Sequence, residues 1–266
     1  MSILFFNIKE DIPKNNSLNN YANIFEEYKT KNIELKEALE EMYSSTNISK
    51  DKVKALTNDI LYKSVEIVQN NYDLIKEKYP LLTLEEAQII SSYNCISYAP
   101  NFNPYKILNN CLCRENLYEG ITNISKYFYI FLKALRKLDR YFLKADEYIY
   151  KCIDKMVFLD KNFNGKRIVY KRGSTKVFLG FTSFSFVLKK NFYIGEKAKA
   201  IEKGTIFNLY GNLYGYDISP FNLKMDDEII LETEQKCIVI NAIPSNKITK
   251  FINIRLKTKE YNYNCL

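Results

Sequence analysis

The chain has 266 residues, 47% hydrophobic and 26% charged, which suits a folded globular protein of one large domain or two modest ones. It contains no histidine, which excludes a Ser-His-Asp or Cys-His nucleophile pair, an H-E-x-x-H zinc site and any imidazole proton shuttle. Its 39 Lys and Arg against 31 Asp and Glu give a net charge of +8. That excess favours anionic partners, but it is spread thinly, and no basic run gives a strong nucleic-acid signal.

The chain opens with Ile3, Leu4, Phe5 and Phe6 but meets Lys9, Glu10 and Asp11 at once. The apolar stretch is too short for a signal-peptide core, and no later run reaches the length of a membrane span. A cytoplasmic protein is expected, or one exported without a recognisable signal peptide. The cysteines, Cys95, Cys111, Cys113, Cys152, Cys237 and Cys265, are sparse for a disulfide scaffold. Without histidine they spell no zinc site, so structural thiols and no metal are expected.

Between Tyr28 and Ser45 the apolar positions Ile33, Leu35, Ala38, Leu39 and Met42 predict an amphipathic helix. Ser49 is a candidate N-cap for a second helix, with Val53, Leu56, Ile60, Leu61, Val65 and Val68 at helical spacing on to Tyr72 and Ile75 and a stop at Pro80. Thr83-Leu-Glu-Glu86 fits a capping box and opens a third. A fourth is predicted over about 104–114, and a fifth from Ser125 to Tyr141 with Phe128, Phe131, Leu132, Leu135 and Leu138 apolar.

Near residue 158 the period changes from helical to alternating. Strands are predicted at Tyr148–Cys152, Arg167–Tyr170, Lys176–Phe178, Phe184–Leu188, Thr205–Tyr210, Glu228–Leu231, Cys237–Ala242 and Phe251–Lys257, with glycines between them. Helices first and strands later argue for an α+β fold.

Three short segments could carry chemistry. In Gly180-Phe-Thr-Ser-Phe-Ser-Phe186, alternation puts Ser183 and Ser185 on one strand face and Phe184 and Phe186 on the other. In Lys224-Met-Asp-Asp-Glu-Ile-Ile-Leu231, Asp226 and Glu228 share a face at the entry to an apolar strand. Two carboxylates so placed raise each other's pKa, a cost that suggests use. In Tyr148-Ile-Tyr-Lys-Cys-Ile153 a short strand carries one cation, Lys151. Taken singly, each reads as well as a half-buried strand or an acidic turn.

In this order the three resemble the arginine–serine–glutamate arrangement of mono-ADP-ribosyltransferases. Leu82-Thr-Leu-Glu-Glu-Ala-Gln88 with Tyr93, Pro104-Tyr-Lys-Ile-Leu-Asn109 and Leu132-Lys-Ala-Leu-Arg-Lys-Leu138 resemble the family's helices. Tyr170-Lys-Arg-Gly173 and Gly180-Phe-Thr-Ser183 resemble its approach to the serine motif. Phe207, Gly215, Asp217, Ile218 and Ser219 resemble its run into the catalytic glutamate. Where the family has Arg, this chain has Lys151; its Ser-Thr-Ser is Ser183-Phe184-Ser185; and its Glu-x-Glu is Asp226-Asp227-Glu228.

The resemblance implies a core over 79–248 with two small, mostly antiparallel sheets around an NAD cleft; residues 1–78, which it does not reach, are expected from their period to be a helical extension, and 249–266 a terminal strand and tail. It implies NAD as substrate, bound by Lys151, Phe181, Ser183 and Ser185, with Glu228 catalytic and Ser183 supporting it. Asp226 would orient or deprotonate the acceptor, arginine by family default. The loop Gly215–Asp226, with Phe221 near its tip, would meet a target protein. A monomer is expected. The alternatives are an inactive binding module of the same fold, an NAD glycohydrolase, and an unrelated basic protein whose 125–141 helix contacts nucleic acid or an acidic membrane.

Overall fold

The structure is a computed structural model that describes residues 8–9, 26–112, 122–141, 143, 147–153, 170, 172–178, 180–188, 191–194, 197–200, 202, 204–211, 215–223, 227–232, 235–243 and 251–258. The helices are α1 (Leu35–Ser44), α2 (Lys50–Asn70), α3 (Tyr72–Lys78), α4 (Leu84–Asn94), α5 (Pro104–Leu112) and α6 (Ser125–Leu135). The strands are β1 (Ile8–Lys9), β2 (Arg140–Tyr141), β3 (Ile149–Ile153), β4 (Thr175–Phe178), β5 (Thr182–Phe184) and β6 (Asn191–Ile194), then β7 (Lys197–Ala200), β8 (Gly204–Tyr210), β9 (Gly215–Asp217), β10 (Ile229–Leu231), β11 (Gln235–Ile243) and β12 (Phe251–Thr258). This is the α+β class expected from the sequence. None of the described helices is long and apolar enough to cross a membrane.

Contacts divide the chain into two compact units, one holding 13–140 and 216–226, the other 6–12, 141–215 and 227–266. The boundary expected at residue 78 therefore falls inside the first unit. The strand expected after 248 is β12, which lies between β11 and β8 in the second.

In the helical unit, α4 packs against α2, α5 and α6, and α1 against α2 and α6. Leu39, Met42, Leu56, Ile60, Ile90, Phe128 and Phe131 are buried between them. The Tyr93 ring stacks on Phe131 at 4.7 Å between centroids, and the Ser92 and Tyr127 hydroxyls meet at 2.9 Å. The capping box forms as expected. Thr83 N–H donates to Glu86 Oε2 at 3.1 Å, and Glu86 N–H donates to Thr83 Oγ1 at 3.2 Å.

The second predicted helix does not run through. It breaks at Asn71, which takes φ −109° and ψ 14° between α2 and α3. The reason is tertiary. Asn71 Nδ2 donates to the carbonyls of Pro220, at 2.9 Å, and Asn222, at 3.2 Å. Around it the helical unit grips the segment 216–223 at every turn. Ser91 Oγ donates to the Phe221 carbonyl at 3.1 Å, Tyr79 Oη to the Asp217 carbonyl at 2.8 Å, and Asn94 to the Asn222 side chain. Lys78 pairs with the Asp217 carboxylate, whose other oxygen accepts from the Ser219 N–H at 2.9 Å.

In the other unit a six-stranded sheet runs in the order β1-β4-β11-β12-β8-β3, antiparallel except for the parallel pair β12–β8. A bulge lies in β11 between Val239 and Asn241. Ile149, Ile153, Phe207, Leu209, Val239, Ile254 and Leu256 turn one face of this sheet into a core shared with Phe184 of β5 and Ile229 and Leu231 of β10. A methyl group at Gly215 would stand 2.6 Å from Ile229 Cγ2 and 3.1 Å from Leu231 Cδ2, so only glycine fits there.

Gly215→Ala is predicted to cost about 1–3 kcal/mol through overpacking. Asn71→Leu is predicted to cost about 1–3 kcal/mol, because it strands two buried carbonyls. Urea denaturation checks both, and a midpoint unchanged from the parent would refute the contact concerned.

Candidate active site

The site is assembled where two sheets touch. The edge of β3 is tied to the end of β5 by one antiparallel bridge: Tyr150 N–H donates to the Ser185 carbonyl at 2.8 Å, and Ser185 N–H to the Tyr150 carbonyl at 2.9 Å. Strand β5 pairs onward with β10, with Phe184 opposite Ile229, Ser183 opposite Ile230 and Thr182 opposite Leu231. One step further along this register Glu228 comes level with Ser185. Alternation then gives Ser183, Ser185 and Glu228 one face of the pair, while Phe184, Ile229 and Leu231 fill the core. Ser183, Ser185 and Glu228 are half-buried.

Lys151 enters from β3. Its ammonium donates to the Ser183 carbonyl at 2.9 Å and lies 5.9 Å from the centroid of the Phe184 ring. Burial lowers its pKa from 10.5 to about 8, and the charge of Glu228 opposes the fall. At neutral pH the junction therefore holds a cation and a carboxylate in a partly dry setting. Two of the thiols have no such footing. Burial pushes Cys95 up to about 12 and raises Cys237 as well, so neither is a ready nucleophile.

Of the residues singled out in the sequence, Lys151, Ser183, Ser185 and Glu228 come together at this junction. The serine strand itself is shifted: it covers Thr182–Phe184, with Ser185 in the bridge, rather than Phe184–Leu188. Phe181, beside it, is buried. Asp226 lies outside the described residues, and its neighbour Asp227 is exposed.

Phe221 is a correction. It was expected at a loop tip facing a target protein, yet it is 0% exposed and stacks on Tyr79 at 5.8 Å. An aromatic ring with a buried stacking partner gains more from packing than from display. Leu223, two residues on, is 64% exposed. The residues that fix the turn, Asn71, Tyr79, Ser91 and Asn94, were not singled out in the sequence. The one local signal is the Asn70-Asn71 pair inside an otherwise apolar helical period.

No protein-family model and no curated protein sequence matches the chain. Among solved structures it is similar to the type III effector XopAI from Xanthomonas axonopodis pv. citri, with a TM-score of 0.53 and 10% identity over 94% of this chain and 95% of that one. It is also similar to HopU1, an ADP-ribosyltransferase of Pseudomonas syringae pv. Tomato DC3000, with a TM-score of 0.49 and 13% identity over 91% of this chain and 98% of that one. Vis toxin, an ADP-ribosyltransferase from Vibrio splendidus, gives a TM-score of 0.48 and 14% identity over 76% of this chain and 87% of that one. Likeness at such identities concerns the fold. The α+β fold of this chain is that of XopAI, and it is the fold class that the resemblance to mono-ADP-ribosyltransferases implies.

Proposed function

We propose that the chain is a mono-ADP-ribosyltransferase that moves ADP-ribose from NAD to a side chain of a target protein and releases nicotinamide. The observation that carries this reading is the convergence of Lys151, Ser183, Ser185 and Glu228 on the β3–β5–β10 junction. Those residues fit the substrate. Lys151 supplies a positive charge for a phosphate, and the serines and Glu228 supply acceptors for ribose hydroxyls.

The chemistry needs no histidine. The bond between ribose C1′ and the nicotinamide nitrogen breaks, its electron pair leaves with nicotinamide, and positive charge grows on the ribose. Glu228, fixed at the mouth of β10, stabilises that charge more in the transition state than in the ground state. A nucleophilic side chain of the target then bonds to C1′ and gives up a proton. Arginine is the acceptor that the resemblance implies, with Asp226 orienting it. Water in place of the acceptor would give NAD hydrolysis, which needs Glu228 but not Asp226.

A second reading, an inactive binding module of the same fold, is favoured by one observation. Lysine offers a point charge rather than the planar fork of arginine, and the Lys151 ammonium is already engaged by the Ser183 carbonyl.

Glu228→Gln is predicted to keep NAD affinity and to lower nicotinamide release on the order of a hundredfold or more; an undiminished rate would remove Glu228 from the site. Since the Lys151 ammonium is lost as pH rises through about 8, NAD binding is predicted to weaken by up to about tenfold between pH 7 and 9. Lys151→Arg, charged throughout, should bind NAD more tightly and without that dependence. Calorimetric titration at both pH values checks this, and a flat profile in the parent would show that Lys151 is not the phosphate contact.

A further inference from the structure

The six-stranded sheet presents different chemistry on the face turned away from its core. There the register aligns Asn241 of β11, Arg255 of β12, Asn208 of β8 and Tyr150 of β3 in one row. In the next row Lys257 sits beside Tyr210, whose ring lies 5.3 Å from that of Tyr148. Arg255, Lys257 and Asn241 are exposed, and the three tyrosines and Asn208 are half-buried. Tyr148, Tyr150, Asn208, Asn241, Ile243 and Arg255 line a groove of about 350 Å³, on the face of β3 opposite Lys151. None of those lining residues is acidic. The Arg255 guanidinium stands 5.6 Å from the Tyr148 ring centroid, and the Asn208 amide donates to the Ile254 carbonyl at 3.4 Å.

We propose that this sheet face binds single-stranded nucleic acid. The tyrosine rings offer flat surfaces on which unpaired bases stack, the asparagine amides offer a donor and an acceptor each to base edges, and Arg255 and Lys257 offer charge to the phosphates between them. An acidic peptide would use the two cations and leave the rings and amides idle. A neutral sugar would use the rings and amides and leave the cations idle. A duplex keeps its bases stacked inside, out of reach of a sheet surface. The proposal is independent of the reaction at Glu228, because the groove lies on the opposite face of β3 from Lys151 and only the Tyr150 backbone is common to the two.

The test is fluorescence anisotropy of a fluorescein-labelled dT 12-mer with the full chain. With two cations on two phosphates, affinity is expected to fall about sevenfold from 50 to 200 mM salt. Arg255→Gln together with Lys257→Gln should weaken binding by about tenfold or more, while leaving nicotinamide release and the circular dichroism spectrum unchanged. Lys133→Gln, at an exposed position of the largely buried α6, should leave binding intact; loss there instead would move the strand to the helical unit and overturn the proposal. It is equally overturned by no binding, by binding that the sheet variant does not weaken, by displacement with NAD, or by AMP or duplex DNA binding as tightly as the 12-mer.

Discussion

Everything proposed for catalysis depends on two backbone hydrogen bonds, those between Tyr150 and Ser185. Strand β3 is the last strand of the large sheet, and β5 belongs to a different sheet beside β10. Without the bridge, the backbone register that sets β3, and with it Lys151, against the strand facing Glu228 would be lost. A single bridge suffices because both strands are anchored from behind. Ile149 and Ile153 on one side and Phe184, Ile229 and Leu231 on the other share one apolar core. The hydrophobic effect brings the sheets together, and the bridge sets the register in which they meet.

The electrostatics of the junction follow from that packing. A lysine pressed into a half-dry corner loses hydration, and its ammonium becomes easier to deprotonate. The charge of Glu228 works against this and makes the ammonium less costly. The Ser183 carbonyl adds a dipole aimed at the ammonium. An arginine in the same place would stay charged whatever its surroundings, so lysine makes the state of the corner depend on its neighbours.

What could be read from the sequence was what is local. The capping box at Thr83 was legible because its four residues contain both donors and both acceptors. The facing of Ser183 and Ser185 was legible because strand alternation is set by the backbone alone. The break at Asn71 was not legible, because the helical period continues through it and the carbonyls that claim its amide lie in the segment around Pro220. Phe221 was misread for the same reason: an aromatic beside Pro and Asn looks like a loop tip until Tyr79 is found beneath it. The serine strand was placed two residues late, since its limits are set by pairing with β10 rather than by its own composition. The expected strand at Arg167–Tyr170 falls almost wholly outside the described residues. The hairpin of β6 and β7, with its Lys-Ala-Lys-Ala strand, carries no β signal that could have announced it.

The order in which the strands lie has a consequence for synthesis. Strand β12 is among the last described elements to leave the ribosome, yet it lies between β11 and β8 and joins the half of the sheet carrying β4 to the half carrying β3. Its partner β8 runs parallel to it and is made well before it, so this contact closes a long loop and forms slowly. Until β12 arrives, β8 has an open edge and the strand bearing Lys151 is tied to only part of its sheet.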